Sequence, residues 1–286
     1  MQERNDKNNT TIVINKKYEV MSKIGHGQFG QVFRGKNAKT GEYVAIKIEI
    51  LDNSLKLLKH EVTILNYLRS KSVKNIPFVY WYGIFMQKPA LVMPLYDQSL
   101  ENWLSDTNVP AKIVSEIAIQ MVSILDNIHN QCVIHRDIKP QNFMWKGNKL
   151  FLIDFGLSTV YVDEDKNHIM SKNDQSCIIG TPKFVSVHIH DGIDASRRDD
   201  LISVAYMYMY MLGNQHIPWE NIQDNELHDE LIYAENHILY YKNQIRKQIK
   251  MEMKLPIFDY LYNINYSETP DYDQLKRLFC EILDIM

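Results

Sequence analysis

Val133-Ile-His-Arg-Asp137-Ile-Lys139-Pro-Gln-Asn142-Phe-Met144, followed after a short turn by Leu150-Phe-Leu-Ile-Asp154-Phe-Gly156, decides how this chain is read. Apolar residues frame the stretch on both sides, and inside the frame stand two carboxylates, Asp137 and Asp154, with Lys139 and Asn142. A lone carboxylate can accept a proton from an alcohol. A second carboxylate and a side-chain amide are hard oxygen ligands suited to Mg²⁺, which seldom has an all-protein cage and shares the oxygens of a phosphate chain. A lysine near the base can neutralise a phosphoryl group in transfer. Gly147 and Asn148 supply a turn between two short apolar strands, so the base and the metal ligand are expected on neighbouring loops.

Upstream, Ile24-Gly-His-Gly-Gln-Phe-Gly-Gln-Val32 carries three glycines, Gly25, Gly27 and Gly30, where the missing Cβ atoms let backbone close over phosphates. Such a triplet also suits an ordinary glycine-rich hairpin. A dinucleotide fold would need a helix straight after it and an acid about 20 residues on; a strand and a turn follow instead. Lys47 ends the β-branched run Val44-Ala-Ile-Lys. A strand lysine is usually a solvated side chain, but a partly buried one needs a counter-charge. Glu61 is the expected partner, on a helix over Ser54–Ser70 with Leu57, Leu58, Val62, Leu65 and Leu68 at helical spacing. It is preferred to Glu49, which shares the lysine's strand face only through the two-residue period.

The 286 residues suffice for one large domain or two lobes around a cleft, and 45% hydrophobic content supports a sizeable core. A formal net charge of −3 argues against a general nucleic-acid binder. Cys132, Cys177 and Cys280 lie far apart without zinc spacing, so reduced thiols in an intracellular protein, cytoplasmic or nuclear, are expected. Met1–Thr10 is a polar tail with no apolar stretch of the signal-peptide kind, and no run approaches the roughly 20 residues of a membrane span. No long inhibitory tail is expected past Met286.

Along the rest of the chain, Thr11–Val20 starts a strand and Pro77–Met93 gives two more. Pro94-Leu-Tyr-Asp97 reads as a hinge, Ser99 as the cap of a helix, and Lys112–Asn130 as a long amphipathic helix. Ser158–Cys177 is too polar for a core element. Tyr206-Met-Tyr-Met-Tyr-Met211 mimics a two-residue period but is apolar on all sides, so a buried helix capped by Asp is expected. His188-x-His190 lacks the further ligands of a metal site. Asn225–Met253 reads as helix with a basic stripe, Lys242, Arg246 and Lys250, that suits a solvated face first and an acidic or phosphorylated partner second. Tyr272–Met286 is a last amphipathic helix.

Together these residues resemble the eukaryotic-type protein kinases, and within them the casein kinase 1 family. His135-Arg-Asp-Ile-Lys-Pro-Gln-Asn-Phe is close to that family's catalytic loop, and Gly192-Ile-Asp-Ala-Ser-Arg-Arg-Asp-Asp-Leu-Ile-Ser to its most distinctive motif. The usual Ala-Pro-Glu triplet is absent after Thr181, with Ser186-Val187-His188 at the family's Ser-Ile-Asn position. The vaccinia-related kinases, which usually replace the catalytic-loop arginine with glycine, fit less well. The resemblance implies a bilobal α+β fold: a β-rich N-lobe over about 11–94, a hinge over about 94–98 and a helical C-lobe over about 99–286, with a nucleotide cleft between the lobes. It implies transfer of the γ-phosphoryl of Mg-ATP, with Mn²⁺ an alternative metal, to Ser/Thr hydroxyls of acidic or pre-phosphorylated proteins by a monomer.

By position, Gly25 to Gly30 would cover the triphosphate and Lys47, paired with Glu61, would hold its α and β phosphates. Asp137 would take the substrate proton, Lys139 steady the γ-phosphoryl, Asn142 and Asp154 hold Mg²⁺, and Asp200 brace the catalytic loop. Ile24, Val32, Ala45 and Met144 would sandwich adenine, with Met93 behind it, the Pro94 carbonyl and the Tyr96 N–H on its edge. His135 would be a packing residue. Arg136, Lys183, Arg197 and Arg198 would meet substrate anions. Thr159 and Ser176 stand where basic residues are usual and Asp163-Glu-Asp165 adds negative charge, so weaker dependence on a priming phosphate is expected, and an order of the segment that does not need phosphorylation. The competing readings are a pseudokinase scaffold, against which every motif residue speaks, and a small-molecule kinase, which would lack Ser196-Arg-Arg-Asp-Asp200.

Overall fold

The computed structural model describes residues 12–27, 30–49, 57–106, 109–172, 178–219, 242–243 and 256–285. The chain divides into two compact units, the first drawn from Met1–Asn66 and Pro77–Tyr96, the second from Tyr67–Ile76 and Asp97–Met286.

The first unit is built on one antiparallel sheet. Its strands are β1 (Val13–Ile14), β2 (Tyr18–Gly27), β3 (Gly30–Asn37), β4 (Tyr43–Glu49), β5 (Trp81–Phe85) and β6 (Lys88–Pro94), in the order β1-β2-β3-β4-β6-β5. The pleat sorts the Val44-Ala-Ile-Lys run into two faces. Val44 and Ile46 join Ile14, Tyr18 and Val92 in one core, whereas Ala45 joins Leu91 and Met93 against Leu58 and Val62 of helix α1 (Leu57–Ser70). Residues directly opposed across an antiparallel ladder share a face. Lys47 is opposite both Val32 and Leu91, so it lies on the α1 side with Ala45 and Met93. Val44, Ile46 and Val92 have no exposed surface, and each such burial is worth roughly 1.5–3 kcal/mol. Gly30 has a packing reason of its own: a Cβ there would sit 2.5 Å from the Ile48 carbonyl oxygen, so β3 could not stay on β4.

The second unit is mainly helical. Helix α2 (Leu100–Ser105) starts where the Ser99 hydroxyl accepts the Asn102 N–H at 3.1 Å, the expected cap. Helix α3 (Ala111–His129) buries Ile117, Met121, Leu125 and Ile128, a helical stripe, and packs on α5 (Arg197–Leu212) and α7 (Tyr272–Ile285). In α5 only Met209 and Leu212 escape burial, which explains how a run that alternates like a strand is a helix: it has no solvent face to advertise a period. Its cap is Ser196 rather than Asp alone, with Asp199 closing the box by accepting the Ser196 N–H at 2.8 Å. Helices α4 (Val187–His190) and α6 (Pro256–Asn263) complete the set among the described residues. Strands β9 (Phe143–Lys146) and β10 (Lys149–Leu152) form the expected hairpin and extend to β7 (Gln98–Ser99), while β8 (Val133–Ile134) pairs with β11 (Thr159–Val160). Together the β-rich and helical parts make the expected α+β fold.

Two expectations are modified here. The polar segment after Gly156 is tied down at Tyr161, whose hydroxyl donates to the His129 carbonyl at 2.7 Å, and at a Val162–His168 bridge. Lys242 is not on a solvated face but fully buried. Arg246, Lys250, Ser176 and nearly all of the expected Asn225–Met253 helix lie outside the described residues.

Candidate active site

In the first unit, the Lys47 ammonium is 2.8 Å from the Glu61 carboxylate, and the two side chains are 13% and 1% exposed. The helix partner reaches the lysine because α1 lies on its face of the sheet. Glu49 instead accepts the Leu58 N–H near the start of α1, at 3.5 Å. Val32, Ala45 and Met93 share the Lys47 face, with Gly25 opposite Val32 and Gly27 opposite Gly30 on β2 and β3. Ile24 is half exposed. Pro94 ends β6 opposite Val44, and Tyr96 is buried, which raises its phenol pKa.

The second unit holds the charged loop. The Asp137 carboxylate accepts the Thr181 hydroxyl at 2.7 Å on Oδ1 and the Asn142 amide at 2.9 Å on Oδ2, and Lys139 Nζ lies 2.8 Å from Oδ2. Lys139 also donates to the Thr181 hydroxyl at 3.0 Å. An ionised carboxylate has about four acceptor sites, so one remains for an incoming hydroxyl. Asn142 gives its second amide hydrogen to the Asp137 carbonyl at 2.8 Å. That leaves the amide oxygen as what this side chain can offer a cation. Its own carbonyl accepts the Ile153 N–H at 2.8 Å, which ties Asp154 to the same corner. Met144 follows in β9, in the second unit.

The loop is held from beneath. Asp200, at the start of α5, accepts the His135 N–H at 2.8 Å and the Arg136 N–H at 2.9 Å, and His129 Nε2 lies 3.0 Å away. Burial works against its ionisation, but the His129 hydrogen bond and the neighbouring histidine and backbone groups prevail and hold its pKa down. Arg136 has φ 69° and Asp154 φ 66°, left-handed conformations that cost a non-glycine residue about 1–3 kcal/mol and persist when their surroundings over-determine them. The two bonds to Asp200 do this at Arg136. His135 is fully buried with its ring edge-on to Phe155; it accepts the Asp137 N–H on Nδ1, so Nε2 carries the proton given to the Ile153 carbonyl.

Thr181 was not among the expected site residues. Gly180 brings it there: at φ 108°, a Cβ on Gly180 would lie 2.5 Å from the Arg136 carbonyl oxygen, so only glycine lets this segment reach the loop. Nothing local in the sequence around Gly180-Thr-Pro ties the Thr181 hydroxyl to a carboxylate 44 positions earlier. Lys242 was missed in the same way. Its ammonium donates to the Pro182 carbonyl at 2.8 Å, to the Val185 carbonyl, and to His190 Nε2 at 3.1 Å, over the rings of Tyr206 and Trp219. Burial lowers its pKa well below that of a free lysine. Burial and the Lys242 charge push His190 down to about 3, so the ring is neutral and accepts.

Of the four expected anion-facing cations, two need correction. Arg197 is buried, with its guanidinium donating to Tyr161, Thr269 and the Ser267 carbonyl, and Arg198 donates to the Ile264 carbonyl. Both hold interior acceptors because they open a helix with no solvent face. Arg136 is partly buried, with Nε on the Leu157 carbonyl, and Lys183 lies over the Tyr210 ring.

The donor chemistry of Asn142 and Asp154 fits a hard divalent cation: an amide oxygen and a carboxylate, on segments joined by the Ile153 N–H to the Asn142 carbonyl. Among the described residues no cluster of three or more His, Cys, Asp or Glu side chains could hold a metal on its own, and no helix is long and apolar enough to cross a membrane. A family model for the protein kinase domain matches residues 18–283.

Proposed function

We propose, for a chain that belongs to the protein kinase family, that it is an active serine/threonine kinase of the casein kinase 1 type. Protein kinase activity in general, with ATP as phosphoryl donor, follows from the family. The observation that supports an active enzyme is the Asp137 carboxylate, held by Lys139, Asn142 and Thr181 with one acceptor site to spare, while the casein kinase 1 type rests on the resemblance of the stretch Gly192 to Ser203. A scaffold that only bound partners would have no use for that arrangement.

The substrate hydroxyl occupies the remaining site on Asp137. As its oxygen bonds to the γ-phosphorus, its proton passes late to the Asp137 carboxylate, and the bond from phosphorus to the β–γ bridging oxygen breaks, releasing ADP. Lys139, 2.8 Å from the base, neutralises charge on the phosphoryl oxygens and keeps the carboxylate aimed. Asn142 and Asp154 would hold Mg²⁺, which supplies charge neutralisation at the phosphates. In the first unit, Lys47 would take the α and β phosphates from its place beside Glu61. Val32, Ala45 and Met93 on the same sheet face, with Ile24 and Met144, would meet adenine, and the Gly25–Gly30 turn would cover the phosphates. Removing Asp154 should therefore hurt turnover more than ATP affinity.

Acidic substrates remain the preferred class, through Lys183 and Arg136. Among the described residues, Arg197 and Arg198 are committed to the interior and do not serve a priming phosphate, which supports a weaker priming requirement. The test is ATP turnover on casein and on primed and unprimed acidic peptides, beside Asp137→Asn. Turnover that vanishes in the variant is expected; equal activity in both proteins, or none in either, would sink the reading. A strong primed preference would sink its substrate part.

A further inference from the structure

The support beneath the Asp137 loop does not end at His129. The other ring nitrogen of His129, Nδ1, lies 2.8 Å from the Tyr272 hydroxyl. A chain of polar groups therefore runs from the first residue of α7 through His129 and Asp200 to the backbone N–H groups of His135 and Arg136. Its side chains are buried: Tyr272 is 8% exposed, His129 1% and Asp200 2%. The sequence places the tyrosine. Asp271 accepts the Gln274 N–H at 2.8 Å and so caps α7. Leu275 and Phe279, one and two turns on from Tyr272, are fully buried and mark the face it shares; α7 packs on α3, which ends at His129.

The proton assignment follows from the partners. Among the described residues the Tyr272 hydroxyl has no other acceptor, and burial raises its pKa, so it keeps its proton and donates to Nδ1. The bond made at one ring nitrogen sets which nitrogen carries the hydrogen. Nε2–H is thus the donor to Asp200 Oδ2, at 3.0 Å. The outer torsion of a histidine is broad, and a single bond to Asp200 would leave the ring free to turn. The second bond, at Tyr272, stops it. The ring then fixes the carboxylate, and the carboxylate fixes the left-handed Arg136, whose neighbour in the chain is Asp137.

We propose that Tyr272 is a positioning residue for phosphoryl transfer: through His129 and Asp200 it sets the place of the Asp137 carboxylate without touching substrate. The kinetic part rests on the activity proposed above; the chain of hydrogen bonds does not.

The experiment is Tyr272→Phe in the full chain, which keeps the ring and removes the hydroxyl. Its kcat on casein should fall between about twofold and thirtyfold, with the KM for ATP unchanged. His129→Gln breaks the chain in its middle, so Tyr272→Phe added to it should cost no further kcat. Melting temperatures are measured for each variant, and assays run well below the lowest separate the loss from unfolding. Independently of turnover, nitrogen NMR with isotope-labelled histidine should show the parent His129 with its hydrogen on Nε2. In Tyr272→Phe its Nδ1 resonance should move towards that of a free lone pair. Unchanged kcat in Tyr272→Phe, a full additional loss in the double variant, or a hydrogen on Nδ1 of the parent would overturn the proposal while leaving the activity standing. A parent without turnover would instead take the kinetic role down with the activity, and the nitrogen spectra would then decide the hydrogen-bond chain alone.

Discussion

Two lysines of the second unit, Lys139 and Lys242, sit in opposite kinds of surroundings. Lys139 is 24% exposed and faces a carboxylate and a hydroxyl; Lys242 is fully buried and faces two carbonyls, a neutral imidazole and two aromatic rings. The first cation can exchange a partner for a phosphoryl oxygen, because water reaches it and its partner is itself charged. The second has no route to such an exchange and serves to hold backbone. Both act on the same segment, Gly180–Val185, one at Thr181 and the other at Pro182 and Val185. A cation's partners, more than its charge, show whether it takes part in chemistry or in anchoring.

The largest effect that would break this contrast is at Asp137, the proposed base beside Lys139. Asp137→Asn should lower kcat by about 10²–10⁴-fold, with the KM for ATP little changed, in steady-state kinetics. Retained turnover would leave Lys139 with nothing to steady. At the anchoring end, Lys242→Met removes three donors and leaves buried carbonyls unpaired, at about 1–3 kcal/mol each. A lower melting temperature and a raised peptide KM are expected, with kcat less affected; a loss confined to kcat would move Lys242 into the chemistry. Between the two, Thr181→Val should cost about tenfold to a hundredfold in kcat by freeing the carboxylate to turn, and Thr181→Ser should restore most of it.

The smallest effect sharpens the anchoring side through pH. The His190 pKa is about 3 in the fold against a reference of 6.5, so its neutral form contributes fully above about 6.5. That contribution is lost progressively as pH falls from there towards about 3. Asp199 has the opposite sign, since burial raises its carboxyl pKa despite Arg198 and its hydrogen bonds. Thermal melts of His190→Gln against the parent should therefore show a shallower fall in stability below about 6.5. An unchanged slope would mean that His190 is already open to protonation.

Much of the site was legible because its parts are local. Asp137, Lys139 and Asn142 fall within six residues, and a Gly-Asn turn returns the chain to Asp154. Lys47 and Glu61 could be paired across 14 positions because a strand period and a helix period each named one face. What failed was long-range and polar. Arg197 and Arg198 look like surface cations in sequence, and only the packing of α5 against the rest of the second unit puts them inside. Lys242 read as part of a solvated stripe because its acceptors are carbonyls, which every residue has and no sequence distinguishes.

The sequence alone determined the residue types on offer: two carboxylates, a lysine and a side-chain amide on neighbouring loops, since those depend on residue type and short spacing. Tertiary structure decided which groups serve that chemistry and which serve the scaffold. A hydroxyl at Thr181 reaches Asp137 only because Gly180 can press against Arg136, and a lysine becomes an anchor only when burial removes water as its alternative partner.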